Sequence, residues 1–376
     1  VSWSKEIGES EWGSMWKYGM WLSTVKGISL AKKRKMNPKL LYHNIEEMNL
    51  YTEYGLSDKQ ILSLKESKKT WEMERQMEVL RKKNIAFVPF FTEEYPEKLL
   101  KIPSSPYGLY VKGKLPNKKK RSVAIIGARM CSNYGKGMAS LFAKELAVAG
   151  VEIVSGMAHG IDSIAQKSAL DARGMTFAVL GCSVDICYPR ENFSLYMEIL
   201  EKGGGILSEY PPSTPPLAKN FPARNRIISG LSDAVLVMEA KEKSGSLITA
   251  DMALEQGRDV YALPGDVTSA LSRGCNQLLR QGAGVLISPG ETLLDLGIIN
   301  TGKKQEKNEN KIMLESAENM VYSCLGLHPK SLEELSDEIS MNIPELLDIL
   351  IALEIKGCIC EIGKNYYARV ESTIEI

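Results

Sequence analysis

The stretch Asn220-Phe-Pro-Ala-Arg-Asn-Arg-Ile-Ile-Ser-Gly230 puts two arginines, an asparagine and an aromatic ring into one turn of chain. Guanidinium forks and the N–H groups of a helix start are complementary to phosphate oxygens, and an aromatic ring stacks on any base. Arg224, Asn225 and Arg226 are therefore candidate phosphate ligands, with Lys219 just before them and Phe221 as a stacking platform. That set suits single-stranded nucleic acid. Upstream, Tyr210-Pro-Pro-Ser-Thr-Pro-Pro216 must be an extended loop, because each proline fixes φ and lacks an N–H.

The elements that position this turn are legible as a series of apolar, β-rich runs: Val123–Ile126, Val151–Val154, Thr176–Leu180, Gly205–Ser208, Ala234–Met238, Val260–Leu263 and Val285–Ile287. Helical stretches separate most of them, which predicts an α/β fold with a parallel-rich sheet covered on both faces. Ligands of such sheets sit beyond the carboxyl ends of the strands. Those ends carry Gly127-Ala-Arg129, Ser155-Gly156, Gly181-Cys-Ser183 and Ser244-Gly-Ser246. Glycine there lets the backbone approach an anion closely, and the following helix start offers N–H donors. The run Gly127–Gly135 is not Gly-x-Gly-x-x-Gly, and no Gly-x-x-x-x-Gly-Lys-Ser/Thr occurs, so no nucleotide cofactor is indicated. Arg129 stands where a dinucleotide loop would want a small residue, which favours a phosphate backbone as ligand.

With 376 residues, 44% hydrophobic and 25% charged, the chain has material for two or three globular domains. A net charge of +1 means that nucleic-acid binding must come from a local patch. Seven scattered cysteines without a Cys-x-x-Cys pair suggest neither a disulfide framework nor a zinc site, and three histidines make a metal centre or a His-based triad a poor expectation. No apolar run reaches membrane-span length, and the first residues lack the basic-then-apolar form of a signal peptide. The expectation is a soluble cytoplasmic protein with no metal and no cofactor.

Four segments follow from the texture of the chain. Residues 1–85 are expected to be helical, with Val25-Lys-Gly-Ile-Ser29 similar to the turn of a helix-hairpin-helix, although Ser29 replaces its second glycine. Residues 86–297 hold the sheet, and 298–311 form a charged, apolar-poor linker. Residues 312–376 show three helical patterns and a hairpin around Gly363-Lys-Asn365, the outline of a winged helix. This last segment has four basic residues against twelve acidic ones, and its recognition helix would carry Glu345, Asp348 and Glu354, so that helix is not expected to enter a DNA groove.

Taken in order, Val123–Arg129, Val154–Asp162, Val179–Asp185, Tyr188–Asn192, Leu207–Pro212, Asn220–Ser232, Ser244–Thr249, Gly257–Val260 and Leu271–Asn276 closely resemble the DNA processing protein A (DprA, also called Smf) family, over about residues 90–297. The resemblance implies an extended Rossmann-like fold that binds single-stranded DNA, dimerises and helps load the RecA recombinase, as in natural transformation, with no enzymatic activity. Residue by residue, the arginine of the family's Gly-Ser/Thr-Arg motif falls on Arg129, and the basic residue of its Tyr-Pro-Lys/Arg motif on Arg190. Its Phe-Pro-x-Arg-Asn-Arg motif falls on Phe221 to Arg226, so that Arg129, Arg190 and Arg224 are implied to act through phosphates. Gly127, Ser155, Gly156, Ser244 and Gly245 at the strand ends complete the implied site. The segment Cys275–Ile287, an amphipathic helix and a last edge strand, offers Leu279 and Val285 as dimer contacts. Ala128, Met157 and His159 depart from the family pattern. A rival from another class is the nucleotide N-glycosidase of the lysine-decarboxylase-like group. Its nearest counterpart here, Glu239 with Ser244–Thr249, lacks the double glycine and has Thr249 where a glutamate is required. Asp162 and Asp185 resemble a carboxylate pair, but Asp162 opens a helix, where the dipole favours an acid for structural reasons.

Overall fold

Nine strands form one sheet: β1 (Ala86–Pro89), β2 (Gly108–Gly113), β3 (Ser122–Ile126), β4 (Glu152–Ser155), β5 (Thr176–Val179), β6 (Gly205–Ser208), β7 (Ala234–Val237), β8 (Asp259–Ala262) and β9 (Gly284–Val285). Their order across the sheet is β1-β2-β6-β5-β4-β3-β7-β8-β9. The strands from β6 to β9 in that order are mutually parallel, whereas β2 runs antiparallel to β6, and β1 to β2. The parallel strands are those the apolar runs predict. Strands β3, β4, β5 and β7 are buried at every residue, as strands covered on both faces must be. Strands β1 and β2 lie outside the predicted runs.

The computed structural model describes residues 9–298, 316–326 and 329–369. Two compact units make up the chain. In the larger, the chain starts the parallel sheet at β3, winds outward to β6, then returns to the far side of β3 with β7. The winding direction reverses between β3 and β7, and a crevice opens there at the carboxyl ends.

The helices Glu9–Thr24, Pro38–Asn44, Asp58–Thr70 and Met73–Lys82 lie in the same unit. Their residues Trp21, Leu41, Leu64 and Leu80 share an apolar core with Tyr110, Leu180 and Ile206. The turn at Gly27 is tied inward: Gln60 Nε2 donates to the Gly27 carbonyl at 2.8 Å and Ser63 Oγ to that of Lys26 at 3.1 Å. Ser29 caps the helix Leu30–Lys33. Lys83 bonds the Asp185 carboxylate and also Ser213 Oγ, joining the end of the helical segment to the loops beyond β5 and β6. These contacts give the helical segment a packing role against the sheet.

The smaller unit has helices Ser316–Cys324, Leu332–Ile339 and Ile343–Ile355 and a three-stranded sheet, β10 (Lys330–Ser331), β11 (Ile359–Gly363) and β12 (Tyr366–Arg369), in the order β10-β12-β11. This is a winged helix. Ser331 and Glu334 form a capping box at the start of its second helix, and Leu335, Leu346, Leu350 and Leu353 are fully buried in its core. The linker expected from 298 to 311 lies, from residue 299 on, outside the described residues, as do residues 1–8.

A backbone approach between β2 and β6 gives a test of the sheet's antiparallel edge. A Cβ at Gly205 would lie 1.8 Å from the Lys114 carbonyl oxygen. Gly205→Ala is expected to destabilise the large unit by about 3 kcal/mol or more, read as a lower denaturant midpoint, whereas Gly245→Ala, with open space around the same position, should shift it little.

Candidate nucleic-acid interface

A groove of about 650 Å³ occupies the crevice between the ends of β3 and β7. The loop Gly127–Met130 forms one wall and the segment Lys241–Ser246 with the start of the helix Gly245–Glu255 the other. Tyr188, Phe221 and Asn225 line it between them. The first wall is held tightly. A Cβ on Gly127 would lie 2.7 Å from Ile161 and 3.0 Å from the Glu239 carbonyl, so only glycine lets the chain turn there. Gly160, at φ +75°, would meet the Ala128 carbonyl at 2.3 Å if it carried a Cβ, and the Ile161 N–H donates to that carbonyl at 3.2 Å.

Beneath the groove lies a buried charge cluster. Arg224, 5% exposed, donates from Nη1 to the Gly156 carbonyl at 3.0 Å and to the Val179 carbonyl, joining the ends of β4 and β5. Its Nε donates to Asn225 Oδ1 at 3.2 Å, and Asn225 Nδ2 reaches the Gly245 carbonyl at 3.4 Å. The Asp162 carboxylate, also buried, accepts the Gly156 N–H at 3.0 Å. Burial pushes the Arg224 guanidinium down to about 10, against the attraction of Asp162 and with the repulsion of Arg129. Burial likewise pushes the Asp162 carboxyl up, opposed by Arg224 and the Gly156 N–H. Arg224 remains cationic at neutral pH in either case.

The structure separates the expected site residues into two sets. Arg129 is exposed on the first wall, Ser244 and Gly245 lie on the second, and Asn225 is half-buried between them. Gly127 contributes its backbone. Lys219 is exposed at the N-cap of the helix Asn220–Leu231, and Arg190 is exposed in the turn after the cis Tyr188–Pro189 bond; both stand outside the groove lining. The second set is engaged within the protein. Arg224 lines the floor of the groove and turns its Nη1 into the sheet, where the Gly156 and Val179 carbonyls accept it. Arg226 is held by the Glu209 carboxylate through two bonds, 2.8 and 2.6 Å, and by the Ser104 carbonyl at 2.9 Å. Ser155 is buried and donates to the Ile125 carbonyl at 2.7 Å, and both backbone groups of Gly156 are used by Asp162 and Arg224. Ser155, Gly156 and Arg224 hold the strand ends beneath the groove, whereas Arg226 is turned away toward Glu209 and Ser104. Phe221 is half-buried, packed on Gly181 and against Tyr188, whose ring centroid is 5.3 Å away. Tyr188, 41% exposed, is the ring more open to the groove.

Sequence reasoning missed three groove residues. Lys241 and Lys243 are exposed on the second wall, and Tyr188 entered only as part of a motif. The signal was available, since Lys241-Glu-Lys243 follows β7 directly and strand carboxyl ends carry the ligands of this architecture. Asp185 takes part in no carboxylate pair with Asp162; it accepts the Ser213 N–H at 3.1 Å and pairs with Lys83. Thr249, in the first turn of its helix, donates to the Gly245 carbonyl at 3.3 Å. Leu279 is half-buried against the core, and Val285 is 48% exposed on the edge strand β9.

A doubly wound sheet with a groove at its switch point, lined in part by cations, is a Rossmann-like architecture. The chain belongs to the DNA recombination-mediator protein A family, which matches residues 86–297, and the DprA winged helix domain matches residues 305–362. Protein Smf of Escherichia coli (strain K12) is 38% identical over 297 residues, 76% of this chain and 78% of that protein. DNA processing protein DprA of Streptococcus pneumoniae (strain R6) is 43% identical over 204 residues, 53% of this chain and 70% of that protein. The X-ray structure of DprA from Streptococcus pneumoniae superposes with a TM-score of 0.65 at 32% identity, covering 74% of this chain and 97% of that one. A Helicobacter pylori DNA processing protein A structure, described for its single-stranded DNA binding mode, gives a TM-score of 0.50 at 34% identity, covering 56% of this chain and 95% of that one.

The two arginines of the groove should respond oppositely to removal. Arg224→Ala leaves two buried carbonyls and Asp162 without their cation and is expected to cost about 3–5 kcal/mol of stability. Arg129→Ala should change stability by no more than about 0.5 kcal/mol. Denaturant titration of both variants checks this, and equal losses would place Arg129 in the scaffold as well.

Proposed function

We propose that this chain is a recombination mediator that binds single-stranded DNA in the groove between β3 and β7. The observation that carries the reading is the arrangement of exposed Arg129, Lys241 and Lys243 on opposite walls with Tyr188 between them. Cations on both sides of an open channel follow a phosphate backbone, and an exposed ring beside them meets bases that only a single strand can turn outward. The Helicobacter pylori DNA processing protein A of similar structure is described by its single-stranded DNA binding mode, which supports the reading. The family resemblance extends it to loading of RecA in the cytoplasm. Among the described residues no helix is long and apolar enough to cross a membrane. The role is binding rather than catalysis: Thr249, where an N-glycosidase needs a glutamate, offers no carboxylate to a ribose.

Fluorescence anisotropy with a labelled oligothymidine and a duplex of equal length, at several salt concentrations, tests this. Single-strand binding should be the tighter and should weaken with salt. Arg129→Ala and Lys243→Ala should each lower the salt slope by about 0.7. Tyr188→Ala should cost about 1–3 kcal/mol with the slope unchanged. Equal affinity for duplex, or binding insensitive to all three changes, would contradict the proposal.

The same reading includes a homodimer through β9. Val285 and Ile287, 48% and 69% exposed, leave an apolar edge strand open to pairing. Val285→Asp is expected to give a folded monomer with weaker apparent DNA affinity, checked by sedimentation and anisotropy. An unchanged dimer would exclude this edge.

A further inference from the structure

The third helix of the winged-helix unit, Ile343–Ile355, carries apolar residues well beyond the face it buries. Its sequence Ile-Pro-Glu-Leu-Leu-Asp-Ile-Leu-Ile-Ala-Leu-Glu-Ile has nine apolar residues in thirteen. One face is used, since Leu346, Leu350 and Leu353 are fully buried in the unit's core. The opposite face is not. Ile351 is 53% exposed and Ile355 82% exposed, Ile343 is 41% exposed at the helix start, and Leu347, half-buried, packs against the edge of the core where this row begins. Positions 347, 351 and 355 repeat every four residues and so form one ridge. Apolar side chains beyond the buried face of a helix are normally covered, and among the described residues nothing covers Ile351 and Ile355.

The surroundings state the partner's charge. Glu345, Asp348 and Glu354 are exposed beside the ridge. The nearby Lys356 is already neutralised by Glu318, with its Nζ 2.5 and 2.6 Å from the two carboxylate oxygens. Lys330 is paired with Glu338 at 2.5 Å, and Arg369 donates to the Tyr322 carbonyl and lies over that ring. Nucleic acid is thereby disfavoured, having the same sign and no apolar face to offer. A second copy in an isologous contact would set these three acids against themselves.

We propose that the ridge Leu347–Ile351–Ile355 docks a helical segment of a partner protein, one with apolar residues three and four apart and lysine or arginine beside them. The winged helix is then a protein-docking module in which the helix that reads DNA in other winged helices reads a basic amphipathic helix. Apolar area supplies the affinity, and the acid rim selects the sign and fixes the orientation.

The test uses the full chain and a labelled synthetic peptide with leucines at helical spacing and lysines on the flanks. A scrambled peptide of the same composition and a leucine–glutamate helix serve as controls. The leucine–lysine helix should bind, while both controls bind about tenfold more weakly or worse. The double substitution Ile351→Ser with Ile355→Ser removes apolar surface without changing charge or core and should also weaken binding about tenfold or more. Glu345→Lys with Asp348→Lys should abolish it. Absence of binding to the unmodified chain, equal binding of the scrambled peptide, or indifference to the double substitution would overturn the proposal. So would a change of oligomeric state on Ile351→Ser with Ile355→Ser in sedimentation, which would assign the ridge to a second copy, or tight duplex binding lost in that variant.

Discussion

A single buried guanidinium holds the site in shape. Arg224 joins the carbonyl ends of β4 and β5 and stands beside the Asp162 carboxylate, while Asn225 reaches from it to the opposite wall at Gly245. Removing such a charge from water is costly unless its donors are used, and here two backbone carbonyls accept from Nη1 and the Asn225 amide oxygen from Nε. The groove walls therefore stand on a buried charge at the floor of the groove. Exposed cations above it, Arg129 and the two lysines after β7, can respond to an anion without disturbing the strand ends.

The winding of the sheet explains why these groups meet. Arg129 and Lys241 are more than a hundred residues apart in sequence, but they follow β3 and β7, which are neighbours only because the chain reverses direction there. Glycine at 127 and 160 lets the first wall lie directly on the strand and helix beneath it. The charge of the chain is divided in the same spirit: a net +1 conceals a basic groove in one unit and a balance of −8 over residues 312–376. Two opposite fields on one chain permit two classes of partner, a polyanion and a basic polypeptide.

Much of the fold was legible because strands covered on both faces must be apolar throughout, and the runs at β3, β5 and β7 have no other reading. Strands β1 and β2 were less so. They are the antiparallel strands at one side of the sheet, and β1, at its edge, is buried only at alternate residues, a pattern shared with loops and short helices. For the site, residue type indicated the region but not the direction of each side chain. Arg224 and Arg226 sit two positions apart on a helix and so point to different sides, one to the sheet and one to Glu209. Sequence displays two arginines among prolines and gives no sign that both are taken. Lys241 and Lys243 were overlooked for the converse reason, as ordinary surface lysines whose meaning comes only from the strand they follow. In the winged helix, acidic composition was legible at once, whereas the unpartnered ridge required knowing which leucines the core had already used.

Hydrogen exchange on the full chain, with and without a saturating oligothymidine, tests the central claim most directly, because it reports which backbone amides a bound strand shields. Binding in the groove between β3 and β7 predicts slowed exchange at residues 127–130, 188–190 and 241–246, with the helix Ile343–Ile355 unchanged. Protection confined to the winged helix, or absent from both groove walls while the oligonucleotide is bound, would contradict the account.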